Sequence, residues 1–302
     1  MKPKTRRIVH WCVALPALLG GSSCAVFSLR MKSWEKQVTR TPEGVLDFAQ
    51  PFSVGEGDVG LLLVHGFGDG PHVWEPLASA LSEEGYHVRA LRLPAWGEPA
   101  SVKQSVTLAD WEEHIQAEAE ALRATCSRVV VLAHSMGGCL STVLAQSGRL
   151  PADALILYAP MFEVSSARSP LLPTATWQRL GHNILPEHTI IESLFPDHSR
   201  RGHARPRTRR DPFVPARIYD LLFEEMSLLY AQPAVLPLPL RLVLPGEDHV
   251  VHSPRAQAWF EALKAPVKTL FIDEGAGHVL PLDLDAQAEA DRIKIWLNEI
   301  GI

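Results

Sequence analysis

The chain has 302 residues, 46% of them hydrophobic and 21% charged, with a formal net charge of -5 at pH 7. This is ordinary globular composition, enough for one sizeable core and an inserted subdomain. A mildly acidic balance argues against nucleic acid as the main partner, because phosphate binding needs a clustered cationic face.

The first residues, MKPKTRRIVHWCVALPALLGGSSC, join a basic start (Lys2, Lys4, Arg6, Arg7) to an apolar run from Ile8 to Leu19 and then to small residues. That layout predicts a targeting segment over 1–24 and an exported protein. The apolar run is shorter than the roughly 20 residues that span a bilayer, and His10 and Pro16 interrupt it. Ser22, Ser23 and Cys24 resemble the end of a bacterial lipoprotein signal, which implies lipidation of Cys24 and membrane attachment through the N-terminus. Gly21 stands where that pattern prefers leucine, so an ordinary cleaved signal and an uncleaved anchor stay open, leaving a periplasmic or extracellular protein. Beyond this segment only Cys126 and Cys139 remain. They flank one strand and its helix, too far apart for a disulfide, and read as buried thiols.

Residues 25–50 are polar, without a clear period, and read as a linker with a first edge element; 51–302 form the main domain. Val59 to Val64 reads as a strand buried on both faces, followed by a loop with Gly66, Gly68 and Gly70. Val73, Trp74, Leu77, Ala80 and Leu81 recur at helical spacing, and the next strand is Tyr86 to Leu91. A helix over Leu108 to Ala124 opens on Thr107 with Asp110 in capping-box position. Val129 to Leu132 is the next buried strand, then a helix, then the strand Ala154 to Tyr158. This alternation predicts a mostly parallel sheet with helices on both faces. Between about 161 and 239 it fails, leaving prolines, a helix near Arg217 to Leu229 and the basic stretch SRRGHARPRTRR at 199–210, expected as a solvated loop or a contact for anionic lipid head groups. Such an insertion reads as a cap over the C-terminal edge of the sheet. The sheet resumes with Leu240 to Leu244, a helix over Pro254 to Leu263 and the strand Val267 to Ile272. The closing helix, Asp283 to Ile300, has Ala290, Ile293, Ile295, Trp296 and Ile300 as expected core contacts.

The chemistry concentrates at the ends of these strands. Ser135 sits on a strand-to-helix turn, with small residues two before and two after it, Ala133 and Gly137, as a nucleophile elbow requires. A helix-capping serine is the bland alternative. A serine nucleophile needs a base, and the base an orienting acid. His278 lies in a small-residue loop after the last strand, and Asp248 follows the strand before it, with Glu247 and Asp273 as competing acids. His65 and His134 read as supports of their turns.

The order Ser135, Asp248, His278, each after a strand, with His65–Gly66 ahead of them, resembles an α/β-hydrolase-fold serine hydrolase. It is closest to capped bacterial carboxylesterases, monoacylglycerol lipases and serine-aminopeptidase-like enzymes, over Leu61 to Ile302. The resemblance implies Ser135 as nucleophile, Asp248 as acid, His278 as base and an oxyanion hole from the backbone N–H groups of Phe67 and Met136. It implies a small-molecule ester or lipid substrate, no metal or other cofactor, and a monomer. In the cap, Met161, Phe162, Leu171, Leu172, Trp177, Leu180, Leu194, Phe195 and Phe213 suggest an apolar acyl pocket or glue between cap and sheet. Two other functions stay open. Peptide cleavage would need an acidic clamp, for which Glu187, Glu192, Asp197, Glu224 and Glu225 are candidates; a non-catalytic binding protein could share the fold.

Overall fold

Four apolar runs form the middle of the molecule because each is short, rich in branched side chains and covered on both faces. The structure is a computed structural model that describes residues 26–167, 172–184, 186–193, 195, 199–200 and 209–302. The targeting segment expected at 1–24, with Cys24, lies outside them.

The strands are β1 (Phe52–Val54), β2 (Val59–Val64), β3 (His87–Ala90), β4 (Arg128–His134), β5 (Ala154–Tyr158), β8 (Leu240–Pro245) and β9 (Lys268–Asp273). They form one sheet in the order β1-β3-β2-β4-β5-β8-β9, parallel throughout except that β1 runs antiparallel to β3 at the edge. Helices α2 (Glu75–Glu83) and α9 (Ala286–Glu299) pack on each other, while α3 (Leu108–Arg123) packs on α4 (Ser135–Gln146). Thr107 and Asp110 close the expected capping box at the start of α3. The remaining main-domain helices are α7 (Ser253–Ala262) and the single turn α8 (Leu280–Asp283). In α9, Ala290, Ile293, Trp296 and Leu297 are buried, but Ile295 is 58% exposed. The expectation for Ile295 fails because that position turns away from the 290–293–297 stripe.

Between β5 and β8 lie α5 (Thr174–Ile184), the two short strands β6 (Ile190–Glu192) and β7 (Phe213–Pro215), and α6 (Arg217–Ala231). The strand pair β6–β7 is antiparallel and was not expected, since three-residue strands carry no readable period. Helix α6 packs both on α5 and on α4, the helix that starts at Ser135.

Residues 26–50 are more than a linker. Residues 26–35 are helical (α1), and Trp34, Val45, Leu46, Phe48, Ala49 and Phe213 form a small apolar cluster of their own, against which Met31 and Ile190 pack. The rings of Trp34 and Phe213 lie 5.5 Å apart, and Arg30 pairs with Glu192 at 2.8 Å. The segment is therefore fastened to the β6–β7 pair.

Beneath the sheet ends, Glu289 of α9 accepts from Tyr158 of β5 at 2.8 Å and pairs with Arg241 of β8 at 2.5 Å, all three buried. A buried ion pair of this kind fixes geometry more than it adds stability.

Candidate active site

The elbow is visible in the backbone. Ser135 has φ of +52°, a left-handed conformation that L-residues rarely adopt outside functional sites. The turn needs its glycines: a Cβ on Gly137 would meet the His65 carbonyl oxygen at 2.6 Å, and one on Gly66 would meet the Ser135 Cβ at 2.9 Å. Ala133, where a glycine is more usual, is fully buried.

The loops after β4, β8 and β9 bring Ser135, Asp248 and His278 together. His278 Nε2 lies 3.0 Å from Ser135 Oγ, and His278 Nδ1 lies 2.8 Å from Asp248 Oδ2. The second Asp248 oxygen accepts the N–H groups of Val250 at 2.7 Å and Val251 at 2.9 Å. Burial alone would raise the Asp248 carboxyl. The charge and hydrogen bond of His278, with the Val251 and Val250 N–H groups, overturn this and hold it below its ordinary value. An ionised carboxylate can only accept, so Nδ1 of His278 carries the proton and Nε2 turns a lone pair to the Ser135 hydroxyl.

The competing acids are engaged elsewhere. Glu247 pairs with Arg200 at 3.1 Å and with His249 at 3.1 Å. Asp273 caps its own loop, accepting the Gly275 N–H at 2.9 Å.

His65 and His134 support the turns around the serine. His65 Nδ1 lies 2.8 Å from the Gly66 carbonyl oxygen, and its Nε2 accepts the Leu93 N–H at 3.1 Å, which fixes a neutral tautomer. Burial is the main cause of its pKa being lowered to about 4. His134 Nε2 lies 2.9 Å from the His278 carbonyl oxygen, so it donates there and steadies the histidine loop.

Phe67 lines the space beside Ser135, and Met136 follows Ser135 in the chain. Met136 is the second residue of α4, within the first turn, where N–H groups have no acceptor inside the helix. The Phe67 side chain is buried in an aromatic cluster with Trp96, Phe195 and Tyr219, at ring separations of 4.9, 5.1 and 5.5 Å.

Two cavities adjoin at Phe195. The catalytic one is narrow, with about 10 Å³ of free space, lined by Phe67, Ser135, Met161, Val250, His278 and Val279, together with Asp69 and Arg210. The larger one, about 130 Å³ and partly open to solvent, lies within the cap among Trp177, Gly181, Ile191, Ala216, Tyr219 and Phe223. At one side of it Asp220 accepts from Gln178 at 2.5 Å and lies 2.9 Å from His182 Nδ1.

Asp69 and Arg210 were not singled out from sequence. Asp69 had a signal, its place between Gly68 and Gly70 in the loop after β2; Arg210 was hidden in a run of arginines. Of the nine cap residues expected to form a pocket or glue, Trp177 and Phe195 line the cap cavity and Met161 the catalytic one. Phe162 packs on Trp259 and Phe213 on Trp34, so these two act as glue. Leu172 and Leu180 are exposed, and Leu171 and Leu194 lie outside the described residues. Most of the basic stretch, 201–208, is likewise outside them, but its ends engage protein groups: Arg200 at Glu247 and Arg209 at Glu75, 3.6 Å apart.

Among the acids proposed for an amine clamp, Glu187 lines the cap cavity, Glu192 is paired with Arg30, and Glu225 is buried on α6. Asp197 lies outside the described residues. Cys126 and Cys139 are free and buried, and burial raises the Cys139 thiol well above its ordinary value, which makes it unreactive. Among the described residues no group of His, Cys, Asp and Glu is arranged to hold a metal ion, and no helix is long and apolar enough to cross a membrane.

Comparison with known proteins gives relatives for this arrangement. The model of the family described as serine aminopeptidase, S33, matches residues 57–285. A thermostable monoacylglycerol lipase of Bacillus sp. (strain H-257) is 27% identical over 250 residues, covering 80% of this chain and 91% of that one. Esterase EstD of Thermotoga maritima is 26% identical, covering 85% of this chain and 69% of that one. Among solved structures, a soluble variant of the monoglyceride lipase of Saccharomyces cerevisiae, in complex with a substrate analogue, superposes with a TM-score of 0.70 at 17% identity, covering 82% and 91% of the two chains. At that identity the likeness concerns the fold.

Proposed function

The chain belongs to the serine aminopeptidase S33 family and has the α/β-hydrolase fold, and on that premise we propose that it cleaves carboxylic esters through an acyl-enzyme on Ser135. The observation that carries this reading is the relay from Asp248 through His278 to Ser135, at 2.8 and 3.0 Å, on a backbone strained at the serine.

His278 Nε2 takes the proton of Ser135 as its Oγ attacks the ester carbonyl carbon. The backbone N–H groups of Phe67 and Met136 stabilise the negative oxygen of the tetrahedral intermediate. The same proton passes from His278 to the leaving alcohol as the ester C–O bond breaks. Water then attacks the acyl-enzyme, His278 receives its proton, and the acid leaves with Ser135 restored. Asp248 stays ionised throughout and stabilises the imidazolium.

The substrate follows from the two cavities. The walls nearest Ser135 are about half apolar, and the cap cavity beyond Phe195 is mainly apolar, with about 130 Å³ of free space. That favours short- to medium-chain acyl esters or monoacylglycerols, with the acyl chain in the cap cavity and the alcohol towards Arg210 and Asp69. The names of the lipase and esterase relatives point the same way. The N-terminal layout supports export and attachment through Cys24; equal detergent partitioning of full-length protein and a Cys24→Ala variant would sink the lipid anchor.

The deciding experiment is hydrolysis of p-nitrophenyl esters from acetate to palmitate, with fluorophosphonate labelling, in wild type and Ser135→Ala. Labelling and turnover lost together in the variant is the expected result. A well-folded wild type with neither would overturn the ester-hydrolase reading.

A further inference from the structure

His278 is held at both sides of its own backbone, and one of the holders belongs to a system the catalytic relay does not include. Its carbonyl oxygen is met by His134 Nε2 at 2.9 Å. On the other side, the N–H of Gly277 donates to Asp283 Oδ2 at 2.7 Å. Asp283, in the single turn α8, is 1% exposed, so its carboxylate is set by the groups that donate to it rather than by water. Two of those donors come from the cap, more than 80 residues away in sequence. The Arg200 N–H donates to Asp283 Oδ2 at 2.8 Å, and the Ser199 hydroxyl donates to Asp283 Oδ1. The Arg200 guanidinium then reaches Glu247, the neighbour of Asp248, at 3.1 Å. The dipeptide Ser199–Arg200 thus touches both loops that carry the acid and the base.

We propose that Asp283 is a positioning residue for the His278 imidazole and that Ser199 of the cap is its partner, so that a cap contact sets the alignment of the acid–base pair. The proposal rests on the serine-hydrolase reading above for its consequence, but not for its geometry. An imidazole must meet the Asp248 oxygen and the Ser135 hydroxyl at once, and displacements of an ångström between such groups cost about a hundredfold in rate. Oδ2 is shared between Gly277 and Arg200, while Oδ1 is turned to Ser199. Loss of the Ser199 hydroxyl removes one of the bonds that orient the carboxylate, and the bond that places Gly277 lengthens with it. The Arg200–Glu247 pair is half-exposed and contributes little by itself.

The test compares wild type, Ser199→Ala, Ser199→Thr, Asp283→Asn and the Ser199→Ala/Asp283→Asn double variant. Three readouts are used: kcat and KM on p-nitrophenyl butyrate, the rate of fluorophosphonate labelling, and the proton resonance of His278 Nδ1–H. Ser199→Ala is expected to lower kcat and the labelling rate about fivefold to twentyfold with KM within twofold, and to broaden the imidazole resonance. Ser199→Thr keeps the hydroxyl and restores at least half of the rate. The double variant is no slower than Asp283→Asn alone, since the two act as one unit. Wild-type labelling rate in Ser199→Ala, or effects that multiply in the double variant, would overturn the proposal. So would a lower melting temperature with labelling rate and resonance unchanged. If Asp283→Asn does not fold, the Ser199 variants decide alone. If wild type labels at serine but turns over no ester, the ester reading fails and the labelling rates still judge the positioning role.

Discussion

The two adjoining cavities are built on opposite principles. The catalytic one is small and polar at its floor, and the acid and base there are each held by other groups: Asp248 by the Val250 and Val251 N–H groups, His278 by Asp248 at its ring and by His134 at its backbone carbonyl. The cap cavity is larger, about 130 against about 10 Å³, and mainly apolar, its walls drawn from α5, β6 and α6. Hydrogen bonds need defined directions, so the first region tolerates few residue types. Apolar contact is non-directional, so the second accepts many residues of similar volume. Chemistry and substrate choice should therefore separate cleanly under mutation.

The largest effect tests that separation at its root. Ser135→Ala should lower kcat on every ester by on the order of 10⁴-fold or more. Binding of a medium-chain fatty acid to the cap cavity, measured by titration calorimetry, should stay within a factor of two. Loss of both together would mean that the cavities form one unit. Asp248→Asn comes next, at roughly 10³–10⁴-fold in kcat, because an amide that donates to Nδ1 selects the wrong imidazole tautomer. Fatty-acid binding should again be unchanged.

Gly181→Leu works from the other side. Gly181 lines the cap cavity from the interior of α5, and a Cβ placed there meets nothing within 4 Å. Leucine is the better helix former by somewhat under about 1 kcal/mol, so the fold should not suffer. The added side chain occupies space that the acyl chain would use. Hydrolysis of p-nitrophenyl decanoate should fall at least tenfold in kcat/KM while acetate stays within twofold; an equal fall on both esters would place the acyl chain elsewhere.

The same contrast explains what the sequence reveals. Ser135, Asp248 and His278 could be picked out because strand periodicity locates the sheet ends and a sharp turn demands small neighbours such as Gly137. The buried strands were legible to within one or two residues for the same reason: β9 was expected over 267–272 and runs over 268–273, and β4 was expected over 129–132 and runs over 128–134. The cap was not legible. The β6–β7 pair is too short to show alternation, and the partner that makes α1 an ordered element, Phe213, is separated from Trp34 by most of the chain. Asp283 escaped notice because its role depends on donors from Ser199, Arg200 and Gly277, a meeting that no local pattern encodes. Ile295 was misassigned because an apolar residue in an amphipathic helix reads as core unless the stripe is fixed by its neighbours.

The smallest effect concerns the seam between the two regions, where α6 of the cap packs on the nucleophile's helix α4. Glu225 of α6 is 1% exposed, and among the described residues neither carboxylate oxygen has a hydrogen-bond partner. Burial, reinforced by the nearby Glu112, raises its pKa from 4.5 to about 8. The folded protein therefore keeps this proton at neutral pH, whereas the unfolded chain loses it above about 4.5. Folding takes up a proton throughout that window, so stability from this group is complete below the unfolded pKa and declines as pH rises to about 8. At one pKa unit per 1.36 kcal/mol the decline is on the order of a few kcal/mol. Glu225→Gln removes the titration while keeping the shape. Denaturant unfolding of both proteins at pH 5.5 and 8.5 should show the variant gaining on wild type at the higher pH, whatever its offset at the lower one. A difference independent of pH would mean that Glu225 is already ionised in the fold, and that the seam is wetter than the packing of α6 on α4 implies.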